Sequence, residues 1–569
     1  MKVVEGRRLT GPNHLLRSAG AAVEVVYEAG DVHKELSKTW KIRVLNVLNA
    51  LKWPLQSATR RHAGTAANPL GGATFAFAAR IDQLNTAVDI AEWAVNMDGH
   101  GSTGKAIAAF RLAAQAEANP ELAKLSDFAW ELDLPLLWDE QVVSLGFGRS
   151  CLCWPVRELP DPSEIDAMRF ATIPVALITG TNGKTTTSRL LTHMARCAGH
   201  HVGNTSTDGW SIDEKTVEDG DWTGPGAARK VLRDPRVEVA VLETARGGLL
   251  RRGLATNLAS VAVVTNVSND HLGEWGIDTV DEMAEAKLAI RRGLRPGGKL
   301  VLNAGCAPLV KAADSEHVFS PLHNFAWFAR DPENRTLQQA LRYGEETATV
   351  RDGVITWQCG AHREYVIAVS EVPIAFGGAA AHNVENVLAA VVAARGLGLG
   401  WSAIREGLRT FGGNATDNPG RANVIARNGA QFLLDFAHNA DGVSHIVQLA
   451  KALPAKRRLI TLGQAGDRSD AVIAQLAEVA FGLAADRYVL KETEHYLRGR
   501  QLGEVTALMQ QQLLKLGVRE DQISMQLSEA VAVQEAVAWA QPGDLAVVLV
   551  HDNFAAALNL VQTAAVVAA

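Results

Sequence analysis

The string Gly180-Thr181-Asn182-Gly183-Lys184-Thr185-Thr186-Thr187 carries the most explicit chemistry in this chain. It follows the apolar and β-branched run Val175–Thr179 and precedes amphipathic positions at Leu190, Leu191 and Met194. A strand, a glycine turn and a helix start place backbone N–H groups and the positive helix end around an anion. Lys184 adds a point charge and Thr185 a hydroxyl suited to Mg²⁺, so the string reads as a phosphate loop. The common GxxxxGK[ST] spacing asks for glycine at 178, where Ile178 stands, which makes this loop a shortened variant.

Two further apolar runs end in residues suited to a metal. Val239–Leu242 leads into Glu243, and Val261–Thr265 leads through Asn266 to Asp270-His271. The carboxyl ends of parallel strands line one crevice, so Glu243 and His271 can converge beside the loop. Hard oxygen ligation with few protein contacts is what Mg²⁺ on a nucleotide requires. Taken alone, a histidine after a strand is more often a capped or solvated loop residue. Lys287, among Glu282, Glu285 and apolar neighbours on an expected helix, reads by itself as a solvated salt-bridge partner.

The elements that must position these residues follow from texture. Residues 1–165 carry mostly helical periodicity, as in Ile81, Leu84, Ala87, Ile90, Ala91 and Ala94, and are expected to form a largely helical or α+β N-terminal domain. Leu159-Pro160-Asp161-Pro162-Ser163-Glu164 is the linker candidate, because its two prolines forbid regular helix. Beyond it, short apolar runs alternate with amphipathic segments, the signature of a mostly parallel sheet with crossover helices. Asp352-Gly353 between two alternating runs marks a hairpin over 348–357. Turn chemistry at Gly412–Gly420 precedes a second α/β alternation with strands at Phe432–Leu434, Leu459–Leu462, Tyr488–Leu490 and Leu545–Val550. The fold class is therefore α/β: a central P-loop-type, mostly parallel sheet domain (166–418), a Rossmann-like C-terminal domain (419–569), and the N-terminal domain (1–165).

Length and charge agree. At 569 residues the chain has room for three or four domains. Lys and Arg number 56 against 62 Asp and Glu, a formal charge of -6, so no global positive field holds nucleic acid or an anionic membrane. Any anion must be gripped locally. Five scattered cysteines without zinc spacing fit free thiols in a reducing cytoplasm. The charged N-terminus does not read as a secretory signal, and the apolar stretch 554–569 is too short to span a bilayer and reads as a packed terminal helix.

The phosphate loop, the Glu243 strand, Asn266 to His271, Lys287, Ala381-His382-Asn383-Val384-Glu385-Asn386, Arg421 after Pro-Gly, and Asp435-Phe436-Ala437-His438-Asn439 resemble the Mur ligase family, in the family's order. Within it the chain is most similar to the Mur-like part of cyanophycin synthetases, in Ser206-Thr207-Asp208-Gly209, Gly220-Asp221 to Gly224-Pro225, Val241 to Arg251, Asn269 to Gly273 and Leu497-Arg498-Gly499-Arg500. The resemblance covers about 165–565. A weaker likeness to the N-terminal domain of those enzymes rests on Leu9-Thr10-Gly11-Pro12-Asn13 and Gly146-Phe147-Gly148-Arg149. About thirty residues separate Arg149 from the loop, too few for the ATP-grasp domain those enzymes carry there, so a single ATP site is expected.

The resemblance implies an ATP-dependent, ADP-forming ligase that joins an amino-acid or peptide carboxylate to an amine through an acyl phosphate. Gly180, Thr181, Asn182, Gly183, Lys184, Thr185 and Thr186 would hold phosphates, and Thr185, Glu243 and His271 would hold Mg²⁺. The lysine corresponding to Lys287 is often carbamylated in the family. Asn383 and Asn386 would face adenine, and Arg421 and Asp435 would reach phosphate and ribose. Thr207, Asp208, Arg246, His438, Arg498 and Arg500 would meet substrate. Glu492 and Glu494 either recognise a cationic amine or sit on a solvated loop. The family's Asn-Ala-Asp-Asp-Pro is replaced by Asn303-Ala304-Gly305-Cys306-Ala307-Pro308, without the acids. The implied partners are a small molecule or peptide, with neither nucleic acid nor membrane, and a homo-oligomer is compatible with this reading. Competing readings are a ligase for a folate-like or cell-wall acid and a non-catalytic relative that binds a polymer or partner.

Overall fold

The computed structural model describes residues 1–62, 70–96, 103–270, 272–314 and 324–563. Contacts group the chain into two compact units. One is drawn from Met1–Arg351, Ile355–Val366 and Val387–Gly407, the other from Asp352–Val354, Ile367–Asn386 and the chain from Leu408 onward.

The first unit begins with an antiparallel sheet, β1 (Lys2–Leu9), β2 (Gly20–Val26), β3 (Ser57–His62) and β4 (Gly72–Ala78), in the order β1-β2-β4-β3. α1 (His33–Leu51) and α2 (Leu84–Asn96) close over it, and Trp40 of α1 stacks on Phe75 of β4 with centroids 5.0 Å apart. α3 (Thr103–Glu117), α4 (Pro120–Glu131) and a small sheet of β5 (Leu136–Trp138), β6 (Val142–Leu145) and β7 (Leu152–Pro155) complete this part. Among the described residues before 165, seven strands stand beside the expected helices, which makes this part α+β. β2 and β4 are buried on nearly every residue, so they lack the in–out alternation by which a half-buried strand is recognised.

The large sheet comprises β8 (Val175–Thr179), β9 (Val202–Ser206), β10 (Gly209–Ile212), β11 (Lys215–Asp219), β12 (Val239–Glu243), β13 (Ala259–Val264), β14 (Leu294–Asn303), β15 (Asn324–Phe328), β16 (Glu346–Arg351), β17 (Val354–Cys359) and β18 (His362–Ala368). Their order is β11-β10-β9-β12-β8-β13-β14-β15-β16-β17-β18. The strands from β9 to β16 are parallel, and β8 lies between β12 and β13 with all five of its residues buried. The expected hairpin joins β16 to β17, with Asp352 and Gly353 at φ 49° and 74°. Crossover helices α5 (Lys184–Cys197), α6 (Pro225–Arg233), α7 (Arg246–Arg251) and α8 (Val280–Leu288) supply the residues that surround the loop.

The two N-terminal glycine strings fasten the first sheets to this one. Thr10 N donates to Arg252 O at 2.7 Å and Leu254 N to Pro12 O at 2.7 Å, so tightly that a Cβ at Gly11 would lie 2.1 Å from Leu254 O. A Cβ at Gly148, whose φ is 55°, would lie 2.1 Å from Val237 O, while Arg149 pairs with Glu238 at 2.6 Å.

The second unit carries a six-stranded sheet in the order 423–427, 430–435, 545–549, 458–462, 487–491 and 523–526, parallel except for the first pair. The four expected strands all lie in it, and a helix spans Phe554–Thr563. No helix among the described residues is long and apolar enough to cross a membrane.

Candidate active site

β8 delivers the chain into the loop at Gly180, where φ is 155° and a Cβ would meet the Thr265 hydroxyl at 1.8 Å. Only glycine fits there. Gly183, at φ 82°, starts α5 without a side-chain cap, so the positive end of a 14-residue helix faces the loop. The loop is strapped to the chain leaving β13. Thr181 N donates to Asn266 O at 3.0 Å, Asn182 N to Asn266 Oδ1 at 2.9 Å, and Asn266 Nδ2 returns to Asn182 O at 3.1 Å. Thr265 Oγ1 donates to Asn182 O at 2.6 Å, and Ser268 N to Thr181 Oγ1 at 3.1 Å. Cys306, standing where the family has an acid, accepts from Val267 N at 3.3 Å, and Asn303 Nδ2 donates to Thr265 O at 3.0 Å. The departing segment therefore buttresses the strap.

Two lysines close on the loop's carbonyls. Lys184 Nζ donates to Thr181 O at 3.0 Å, and Lys287 Nζ, from α8, donates to Gly180 O at 2.8 Å. Lys287 is 4% exposed, which corrects its lone-residue reading as a solvated ion-pair partner. Burial, then the charges of Lys184 and Arg246, push its amine well below the usual lysine range against an opposing pull from Asp270. Glu243 ends β12 in register with Ile178, one strand away, and is 2% exposed. The Thr185 and Thr207 hydroxyls are 3.2 Å apart. Asp208 accepts from Arg189 at 2.7 Å, and Arg246 pairs with Glu274 beneath the Trp275 ring. His271 lies outside the described residues.

The donor chemistry fits a nucleotide with Mg²⁺: a glycine turn with no room for a Cβ at Gly180, a lysine and a threonine hydroxyl at the start of α5, and a buried carboxylate at the end of an adjacent strand. Sequence reasoning passed over Thr265 and Ser268 and gave Asn266 no role. A strand end followed by Thr-Asn-Val-Ser-Asn was the available signal.

In the second unit Asn383 Nδ2 donates to Ile374 O at 2.9 Å and its Oδ1 accepts from Asn386 Nδ2 at 3.2 Å. Arg421 lies 5.0 Å over the Phe436 ring, and His438 Nδ1 donates to Phe436 O at 3.2 Å. Asp435 accepts from Ala422 N and Ala437 N, each at 2.7 Å, so its two oxygens tie the 420s turn to its own strand end. Arg498 pairs with Asp467 at 2.6 Å. Arg500 holds Gly466 O, Arg468 O, Asp470 and Glu504 at 2.7–2.8 Å, an arrangement that braces the loop. Glu492 is 1% exposed and accepts from Thr506 N at 3.0 Å, which corrects the solvated-loop reading for that residue.

Burial raises the Asp435 carboxyl to about 6, opposed by Arg421 and the two N–H donors. A carboxyl that keeps its proton longer when folded stabilises most below about pH 4, and that share is lost as pH rises through about 6. Unfolding free energy is expected to fall by up to about 3 kcal/mol across that window, and urea titrations of Asp435→Asn should lack this component. An unchanged pH profile in the variant would show that the carboxyl is ionised throughout.

Residues 178–394 match the Mur ligase middle domain, and residues 420–550 match the Mur ligase glutamate ligase domain. The cyanophycin synthetase of Synechocystis sp. (strain PCC 6803) is 39% identical over 392 residues, 68% of this chain and 44% of that protein. That of Crocosphaera subtropica is 37% identical over 419 residues, 74% and 46% of the two chains. The chain thus spans less than half the length of these relatives. The UDP-N-acetylmuramoylalanine–D-glutamate ligase of Chlorobium chlorochromatii is 28% identical over 323 residues, 56% of this chain and 64% of that one. Among solved structures, the bifunctional folylpolyglutamate synthase/dihydrofolate synthase of Yersinia pestis superposes with a TM-score of 0.49 at 19% identity, covering 68% of this chain and 88% of its own. With the strapped phosphate loop between two parallel neighbours and both domain types matched in order, the chain from 178 to 550 belongs to the Mur ligase family.

Proposed function

We propose that this chain is an ATP-dependent ligase that joins an amino-acid or peptide carboxylate to an amine, with ADP and phosphate as the other products. One observation carries the reading: the Gly180–Thr186 loop, pinned by Asn266 and Thr265, has Lys184 and Lys287 on its carbonyls and Glu243 on the adjoining strand. A carboxylate is too poor an electrophile to meet an amine directly. Transfer of the γ-phosphoryl group to it gives an acyl phosphate, the amine attacks, and phosphate leaves from the tetrahedral intermediate. Catalysis of that sequence is mainly positioning and charge neutralisation.

In this reading Lys184 and the start of α5 hold phosphoryl oxygens. Thr185 and Glu243 would hold Mg²⁺, which neutralises phosphate charge when bound. Burial favours the uncharged amine of Lys287, the form that adds CO₂, which supports the carbamylation implied by the family. Roles for Asn383, Asn386, Arg421 and Asp435 on the nucleotide rest on the resemblance alone. The cyanophycin synthetase relatives support an aspartyl carboxylate and a basic amino acid as the substrates, and ATP chemistry with five free cysteines suits the cytoplasm.

Purified protein with ATP, Mg²⁺ and aspartyl peptides paired with arginine or lysine should release ADP only when acid and amine are both present, with a condensed product by mass spectrometry. No ADP with any acid and amine pair would favour a non-catalytic binding role.

A further inference from the structure

Between the first sheets and the large one lies a cavity of about 690 Å³, bordered by Thr10 of the first glycine string, by Trp138 and by the first turns of α6. Its carboxylates are already engaged. Asp82 accepts from Asn119 N at 3.1 Å, and Glu117 from Asn85 N and Thr86 N at 2.7 Å each. Asp139 pairs with Arg233, and Glu140 with Arg8 at 2.7 Å. Two of its cations, unlike Arg8, are not matched in the same way. Arg229 is 7% exposed, and among the described residues its single hydrogen bond is from Nη2 to the Thr10 hydroxyl at 2.9 Å. Its Nε is buried without a partner, and among the described residues no carboxylate lies within ion-pair distance of it. Arg252, on the same wall, has no ion pair among the described residues. A buried guanidinium with an unsatisfied donor is costly, and an anion removes that cost. Burial, then Arg233 and Arg252, also depress the Arg229 guanidinium to about 10 against an opposing pull from Asp139, and an anion beside it would act in the same direction as Asp139.

The rest of the wall says which anion. Trp138, whose ring lies 5.9 Å from the Arg229 guanidinium, joins Ile81, Leu84 and Leu122 in an apolar face that a bare inorganic ion would leave uncovered. The volume is that of a ligand of several tens of atoms. We propose that this cavity binds an organic carboxylate of amino-acid or short-peptide type, with Arg229 and Arg252 on its carboxylate and the Trp138 face on its apolar part. The site is separate from the phosphate loop and does not depend on the ligase reading.

Calorimetry with aspartyl-alanine as the probe, in the absence of ATP, tests it on the full chain. The dipeptide should bind saturably to the parent protein and to Lys184→Ala, and about ten- to hundredfold more weakly to Arg229→Gln and Arg252→Gln. Arg252 is exposed, so its variant folds even if Arg229→Gln does not. Inorganic phosphate, titrated in parallel, should bind more weakly than the dipeptide. Absence of saturable dipeptide binding, loss of it in Lys184→Ala, unchanged affinity in Arg252→Gln, or phosphate binding as tight as the dipeptide would each overturn the proposal.

Discussion

Lys184→Ala is expected to lower acid- and amine-dependent ADP release by about 10²–10³-fold while leaving the fold intact. The separation of the two effects follows from the local bonds. In the folded chain Lys184 contributes one hydrogen bond, Nζ to Thr181 O. The loop's shape is held by other groups: Asn266, Thr265 and Ser268 on one side and Lys287 on Gly180 O on the other. Loss of one partly exposed hydrogen bond costs about 1 kcal/mol, a small part of a domain's stability. The ammonium is the loop's only side-chain cation, so its removal withdraws charge where negative charge accumulates on the phosphoryl group in the transition state. Lys184→Arg should not rescue fully, because a planar fork does not replace a compact point charge between two phosphates. The comparison needs ADP assays beside thermal melts. Turnover retained within threefold in a well-folded Lys184→Ala protein would remove the phosphate-loop reading.

How far the sequence could go is visible in these residues. The loop was legible because glycine, lysine and threonine at fixed spacing after an apolar strand leave few alternatives, and because β8, β12 and β13, buried on both faces, read as continuous apolar runs. Lys287 was illegible by itself. Its neighbours in sequence are acids, and only tertiary packing places its amine against Gly180 O, more than a hundred residues away. The strap had the same problem: Asn266 and Thr265 read as strand-end polar residues until β13 is seen pairing with β8. Arg500 has a duty that its type and place do not show: its donors hold two carbonyls and two carboxylates of its own unit. The strands described before residue 165 were hidden by pattern, since segments such as Gly20–Val26 and Gly72–Ala78 are buried on nearly every residue and lack the alternation of a half-buried strand.

Glu243→Gln is the second large effect, and its value lies in separating a metal-binding carboxylate from a structural one. All five residues of β12 are buried, and the carboxylate at its end is 2% exposed. A buried carboxylate that balances a protein cation leaves that cation uncompensated when it is neutralised, at a cost of about 3–5 kcal/mol. A carboxylate placed to meet a divalent ion behaves otherwise, since in the absence of the ion its desolvation is a liability and glutamine of the same shape relieves it. Glu243→Gln is therefore expected to lose the added stability in urea that Mg²⁺ with ADP gives the parent. Turnover should fall by about 10²-fold or more, partly recovered at high Mg²⁺, because Thr185 and the nucleotide's own phosphates still offer oxygens to the ion. Mn²⁺ binding followed by electron paramagnetic resonance gives a readout independent of catalysis. A strongly destabilised variant whose Mn²⁺ affinity is unchanged would assign Glu243 to the scaffold and leave the metal to other ligands.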